Sequence, residues 1–146
     1  MTAALPAWRR FAWILGLLVA TGCSRPRAVE PNQTEERLLK VGNAYRNAVA
    51  RLGHAPKDFE ELKPDLDKGT TEEFLRSPND GEKFVVIWGV NFDKLPRSGD
   101  PFVVAVYEKK GANGKRYVLR FPLSTCTMTE EEWKSAAFPP GYTPPP

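Results

Sequence analysis

Leu38, Val41, Tyr45, Ala48 and Leu52 recur at steps of three and four, while Lys40, Asn43, Arg46, Asn47 and Arg51 fall mostly between them. That spacing lines one side of a helix with apolar groups and leaves the other side to water. The helix is expected to start near Thr34, whose hydroxyl can cap it, with Glu35 and Glu36 at the positive end of its dipole. Gly53 suits a left-handed helix end, and Pro56 prevents the helix from resuming. One apolar stripe needs one partner surface, so this helix is expected to lie across a sheet.

Two short helical turns follow by capping-box spacing. Asp58 with Glu61 leads Phe59 and Leu62 inward, and Thr70 with Glu73 does the same for Phe74 and Leu75. The run Ser77-Pro78-Asn79-Asp80-Gly81 is dense in turn residues. Phe84 to Trp88 is apolar at successive positions, the pattern of a strand covered on both faces. Phe102 to Tyr107 is also strand-like, and Asn91 to Pro101 between them reads as a long loop. Tyr107 and Tyr117 flank Gly111-Ala112-Asn113-Gly114, a hairpin signal compatible with a two-residue or a four-residue loop. Either loop places Val104 and Val106 on the same face as Leu119 and Phe121. A last short helix is expected from Thr129, with Glu132 at capping-box spacing and Trp133 and Ala137 on its apolar side. Beyond Phe138 the prolines predict an extended tail. The expected fold is α+β: an amino-terminal amphipathic helix on a small three-stranded antiparallel sheet, with short peripheral helices.

Upstream of the first helix the pattern changes. Arg9 and Arg10 precede an apolar run from Phe11 to Ala20, followed by Thr21, Gly22 and Cys23. A positive end, a short apolar middle and small residues make up a cleavable export signal. A membrane-crossing helix needs about 20 apolar residues. Phe11 to Gly22 falls short of that, and Arg9 and Arg10 block extension. Ser24 to Gln33 holds Arg25, Pro26, Arg27 and Pro31 and reads as an extended tether. The organisation is therefore a signal peptide over 1–22, Cys23 and a linker over 23–33, one α+β domain over 34–138, and a Pro-rich tail over 139–146.

Cys23 directly after Thr21-Gly22 resembles the lipobox of bacterial lipoproteins, although Ala20 stands where that family prefers Leu. The resemblance implies cleavage before Cys23, a thioether-linked diacylglycerol on its sulfur, and acylation of the new amino terminus. It places the domain in the bacterial cell envelope, outside the cytoplasm and held to a membrane by lipid. Ser24 rather than Asp after the cysteine favours the outer membrane where the host has one. A plainly secreted protein with an incidental Cys23 is the rival reading, and a Cys23–Cys126 disulfide is open in that case.

Charge narrows the partners. The 21 basic residues lose Arg9 and Arg10 with the signal, leaving 19 against 18 acidic ones. No single-sign surface remains to attract nucleic acid, so no nucleic-acid partner is expected. The 124 residues left after a 22-residue leader suffice for one core without metal or disulfide staples. If Cys23 carries lipid, Cys126 is unpaired, and its neighbours Ser124, Thr125, Thr127 and Met128 include no base or cation to activate it.

Catalytic chemistry is not visible. His54 is the single histidine, and it follows a helix stop. With one histidine and one free cysteine there is no zinc set, and no cofactor or metal is expected. Asp65-Leu66-Asp67-Lys68-Gly69 fails as a calcium loop because Arg76 stands at the twelfth position, where a bidentate Glu belongs. Asn79, Asp80 and Glu82 are better explained as turn formers than as calcium ligands. Gly111 to Lys115 lacks the spacing of a phosphate loop.

The order from Leu38 to Phe121 (helix, turns containing Ser77-Pro78-Asn79-Asp80-Gly81, antiparallel meander) resembles the globular heads of type IV pilins and type II secretion pseudopilins. Those proteins carry a long apolar helix running directly into the head; here a short signal and a polar linker stand in its place. The function expected from the sequence is non-catalytic: a membrane-anchored binding or scaffold protein, meeting an envelope partner through its Pro-rich tail or a sheet face. The alternatives are an accessory pseudopilin-like component of a secretion or pilus apparatus, and an envelope hydrolase using acids around Asp58 to Glu61 or Asp80.

Overall fold

A computed structural model describes residues 32–95 and 102–145. The expected signal and linker over residues 1–31, including the lipobox-like segment ending at Cys23, and residues 96–101 lie outside the described residues.

Helix α1 runs Gln33–Leu52 and starts two residues from where Thr34 alone suggested. Asn32 is the cap: its side chain accepts from the Thr34 N–H at 2.9 Å, and the Glu35 carboxylate reaches back to the Asn32 N–H. The Asn32 amide also donates to the Tyr117 hydroxyl at 3.0 Å, tying the helix start to the sheet. Thr34 is buried instead, with its hydroxyl unpartnered. Gly53 ends the helix at φ 75°, the left-handed conformation that glycine adopts without steric cost. Leu38, Val41, Tyr45 and Ala48 are buried, as the stripe predicted; Ala44 joins them, and Leu52, the last of the stripe, is only half-buried.

A four-residue helix α2 (Phe59–Leu62) follows, capped by the Asp58 carboxylate on the Glu61 N–H. The second predicted turn forms as 3₁₀ helix over Glu72–Leu75 with no side-chain cap; Glu73 pairs with Arg76 at 2.9 Å instead.

The sheet has four antiparallel strands in the order β1-β2-β3-β4, so the three-strand expectation is corrected. They are β1 (Val85–Val86), β2 (Val103–Tyr107), β3 (Lys115–Phe121) and β4 (Ser124–Thr129). Missing from the expectation was β4, whose Ser, Thr and Cys residues carry no apolar alternation; the β-branching of Thr125, Thr127 and Thr129 was the available signal. Strand β1 is shorter than the apolar run Phe84 to Trp88: the Ile87 N–H still donates to Ala105 O of β2 at 2.9 Å, but other amides on either side find other acceptors. Phe84 N–H donates to Leu75 O, and Gly89 N–H to Pro56 O.

Register corrects a second expectation. Val106 lies opposite Leu119 and Val103 opposite Phe121, but Val104 lies opposite Arg120. A bulge at Ala105 separates Val104 from Val106 and reverses the inside–outside alternation between them. The Val104 N–H leaves the ladder and donates to the Ala137 carbonyl at 2.9 Å.

Both faces of the sheet are covered. On one, α1 packs Tyr45 edge-on against Phe92 and Phe121. The Tyr45 hydroxyl donates to Val90 O and accepts from Val90 N–H, and burial pushes its pKa up to about 12. On the other face lies α3 (Glu130–Lys134), which presents Trp133 to Tyr107 with ring centres 4.6 Å apart. Ala137, expected on the apolar side of this helix, falls beyond its end. The chain then turns back through a Tyr142 N–H to Pro139 O bond. Phe138 and Tyr142 stack in series, and the Tyr142 hydroxyl meets that of Tyr107 at 2.7 Å. At least as far as Tyr142, then, the tail packs on the domain and is not a free extended strap.

The helix approaches the sheet most closely at Gly42, where a Cβ would lie 2.6 Å from methyl groups of both Leu119 and Leu123. Gly42→Val should lower stability by about 1–3 kcal/mol through overpacking. Thermal unfolding followed by circular dichroism checks this, with the exposed Asn43→Val as the control that should change little.

Candidate functional site

The acids singled out in the sequence do not converge. Asp58 caps α2, Glu61 accepts from the Lys57 N–H at 2.9 Å, and Asp65 pairs with Arg51 at 2.7 Å. The Asp80 carboxylate accepts from three backbone N–H groups: Glu82 at 2.9 Å, Lys110 at 3.2 Å and Gly111 at 2.9 Å. A carboxylate surrounded by donors is an anchor for the turn and is unsuited to hold a cation. His54 is exposed, with Nδ1 2.9 Å from the Ala55 carbonyl oxygen. Among the described residues no group of three or more His, Cys, Asp or Glu could hold a metal. Cys126 is half-buried and has no disulfide partner among the described residues, and burial pushes its thiol pKa up, favouring the protonated form. Cys23 lies outside the described residues.

Sequence reading missed the fully buried Glu108. Its oxygens accept from the Ser77 hydroxyl, the Asn79 amide at 3.0 Å and the Tyr117 N–H at 2.8 Å. The Ser77 hydroxyl in turn accepts from the Asn79 N–H at 3.0 Å. With Asp80, this docks the Ser77–Gly81 turn onto the β2–β3 hairpin from both ends. An acid directly after the apolar run Phe102 to Tyr107 was the available signal.

A surface suited to recognition lies at the carboxyl-terminal corner. An open notch of about 400 Å³ is lined by Lys109, Arg116, Trp133, Lys134, Phe138 and Pro144, among others. Arg116 is fixed there. Its guanidinium lies 4.4 Å over the Trp133 ring, its Nη2 is 2.8 Å from the Glu130 carboxylate, and its Nη1 donates to the Lys109 carbonyl. Lys109 and Lys134 border the same notch without a salt bridge to any described acid. Flat aromatic and proline walls, two ammonium groups that form no salt bridge to a described acid, and the Arg116-paired Glu130 suit a ligand that presents a ring or apolar face together with negative charge.

A second groove of about 540 Å³ runs along the polar side of α1 between Asn43, Arg46 and Asn47 and the segment Asn91 to Lys94. The Asn91 side-chain oxygen is buried there without a partner among the described residues.

No protein-family model, curated protein or solved structure matches this chain. Among the described residues, no helix is long and apolar enough to cross a membrane.

Two predictions follow from the geometry of these sites. Glu108→Ala leaves the buried Ser77 hydroxyl and the half-buried Tyr117 N–H without their acceptor and should cost roughly 2–4 kcal/mol. Glu108→Gln, which keeps an acceptor, should cost less; urea unfolding of both variants checks the order. The second concerns Glu132, whose carboxylate accepts from the Thr129 N–H at 2.7 Å and is held below its ordinary value of 4.5 by that bond. A lowered folded value stabilises at pH above the unfolded value and loses that contribution as pH falls through the folded one. The stability advantage of wild type over Glu132→Gln should therefore shrink as the pH drops below 4.5, read from melting temperatures across that range.

Proposed function

We propose that this chain is a lipid-anchored envelope protein whose globular part binds a partner and does no chemistry. The observation that carries the reading is the order Arg9-Arg10, apolar Phe11 to Ala20, Thr21-Gly22-Cys23, then a polar Pro-containing linker ending at a separately capped helix. Cys23 is the lipid attachment site. Each buried CH₂ contributes about 0.8 kcal/mol, so one chain holds marginally and several hold firmly. Ser24 after the cysteine favours the outer membrane. The domain hangs from residues 24–31 by the start of α1, which Asn32 fastens to Tyr117.

The contact surface of this reading is the notch around Trp133, where the Pro-rich tail meets the second face of the sheet. A binding role is supported by acids that cap helices and turns, which speaks against the hydrolase alternative. The pseudopilin-like alternative draws on the order of one helix, a docked turn and an antiparallel meander. It shares the anchor and differs only in the partner, a secretion or pilus apparatus.

Labelling cells with an alkyne fatty acid tests the anchor. Wild type should take up label and sediment with membranes, and Cys23→Ala should do neither. An unmodified Cys23 thiol, found by mass spectrometry in the mature chain, would overturn the reading. Pull-downs from detergent-solubilised membranes test the surface: wild type should recover a partner that Lys109→Glu with Lys134→Glu loses.

A further inference from the structure

The two edges of the sheet are treated differently. Strand β1 pairs over two residues only; the Ile87 N–H after it still bonds to Ala105 O of β2, while those of Phe84 and Gly89 are bonded to Leu75 and Pro56. Strand β4 is six residues long, contains no charge and no proline, and pairs with β3 without a bulge from Lys115↔Thr129 to Arg120↔Ser124. Charge, proline and bulges are the usual means of keeping an edge from pairing with another chain.

The direction of the free backbone groups follows from β3. Tyr117 turns both of its backbone groups toward β2: its carbonyl accepts from the Glu108 N–H, and its own N–H donates to the Glu108 carboxylate. Thr127, opposite Tyr117, is therefore a non-hydrogen-bonded neighbour, and its N–H and C=O point away from β3. By the same alternation so do those of Thr125, opposite Leu119. The series stops at Thr129, whose N–H is taken by Glu132. No described group bonds the outward groups of Thr125 and Thr127.

We propose that β4 pairs antiparallel with β4 of a second copy about a two-fold axis at Cys126, joining two sheets into one continuous sheet. In this register Thr125 exchanges both backbone bonds with Thr127 of the second copy, and the symmetry repeats the exchange. Ser124 faces Met128 and Leu123 faces Thr129, so no like charges meet. A register centred on Thr127 would need the Thr129 N–H, which is occupied. The uncharged strand carries no charge pattern to select a different protein, whereas its own sequence completes it. The axis stands perpendicular to the sheet, so both α1 helices lie on one face of the joined sheet. The pairing does not rest on lipid at Cys23. Cys126 reports on it: the two copies of this residue form a non-hydrogen-bonded pair with Cα atoms about 4.5 Å apart, within the span of a disulfide.

The test uses the full chain in its own membranes, oxidised with copper(II)–phenanthroline, which takes two electrons from the paired thiols while two protons are released. Wild type should give a disulfide-linked dimer on a non-reducing gel, and Cys126→Ser should give none. In the Cys126→Ser background, Thr125→Cys and Thr127→Cys should each stay monomeric alone and cross-link when coexpressed. Thr127→Pro removes an outward N–H that β3 does not use; it should keep the wild-type melting temperature and lose the dimer. Should that variant fail to fold, the coexpressed pair still decides. A wild-type chain that stays monomeric after oxidation, a cross-link only to another protein, or cross-linking of the single Thr125→Cys chain to itself would each overturn the proposal. Fatty-acid labelling at Cys23 is read separately, so either result stands without the other.

Discussion

A sheet whose middle strands carry apolar groups on both faces has to be covered twice. Val104, Ala105, Val106 and Tyr107 are all buried, as are Val118 and Leu119 opposite them. One helix covers only one face. The second cover is built from five residues of helix carrying Trp133 and the aromatic groups after it, Phe138 and Tyr142, gathered around Tyr107 by tilted and edge-on ring contacts and a hydroxyl pair. The rest of the architecture accommodates these two layers. Gly42 lets the helix come close, and the Ala105 bulge gives the last segment a backbone bond through Ala137.

Polar groups inside this arrangement are placed to hold loops. Glu108 and Asp80 together accept six hydrogen bonds from Ser77, Asn79, Tyr117, Glu82, Lys110 and Gly111. Unsatisfied, such groups would cost more than the bonds return. Satisfied, they lock a turn of proline, asparagine and glycine to a hairpin that no apolar contact would specify. The same economy explains why Asp58 and Asp80 spend their oxygens on backbone N–H groups of a helix start and a turn.

A domain built this way presents surfaces more than a cleft. The notch at Trp133 offers rings and ammonium groups, the polar side of α1 offers amides, and β4 offers unpaired backbone. On the lipid tether proposed above these surfaces would work at the membrane, where both partners are confined and modest contacts add up. A non-catalytic envelope role therefore remains the proposal that the observations support best.

Sequence alone determined the parts governed by local rules. The stripe of α1, its glycine stop, the Asp58 cap of α2 and the Thr129–Glu132 cap of α3 are set by residues spaced within four positions of one another. Tertiary structure decided what distant partners decide. Asn32 outcompeted Thr34 as the cap because Tyr117 holds it, and the Ala105 bulge answered to Ala137 more than thirty residues on. The Ser/Thr run of β4 became a strand because β3 offered it a ladder, and Glu108 was buried because Ser77 and Asn79 came to meet it. Hydropathy along a chain reports which side of an element is dry. Which polar group meets which is settled only once the sheet has brought them together.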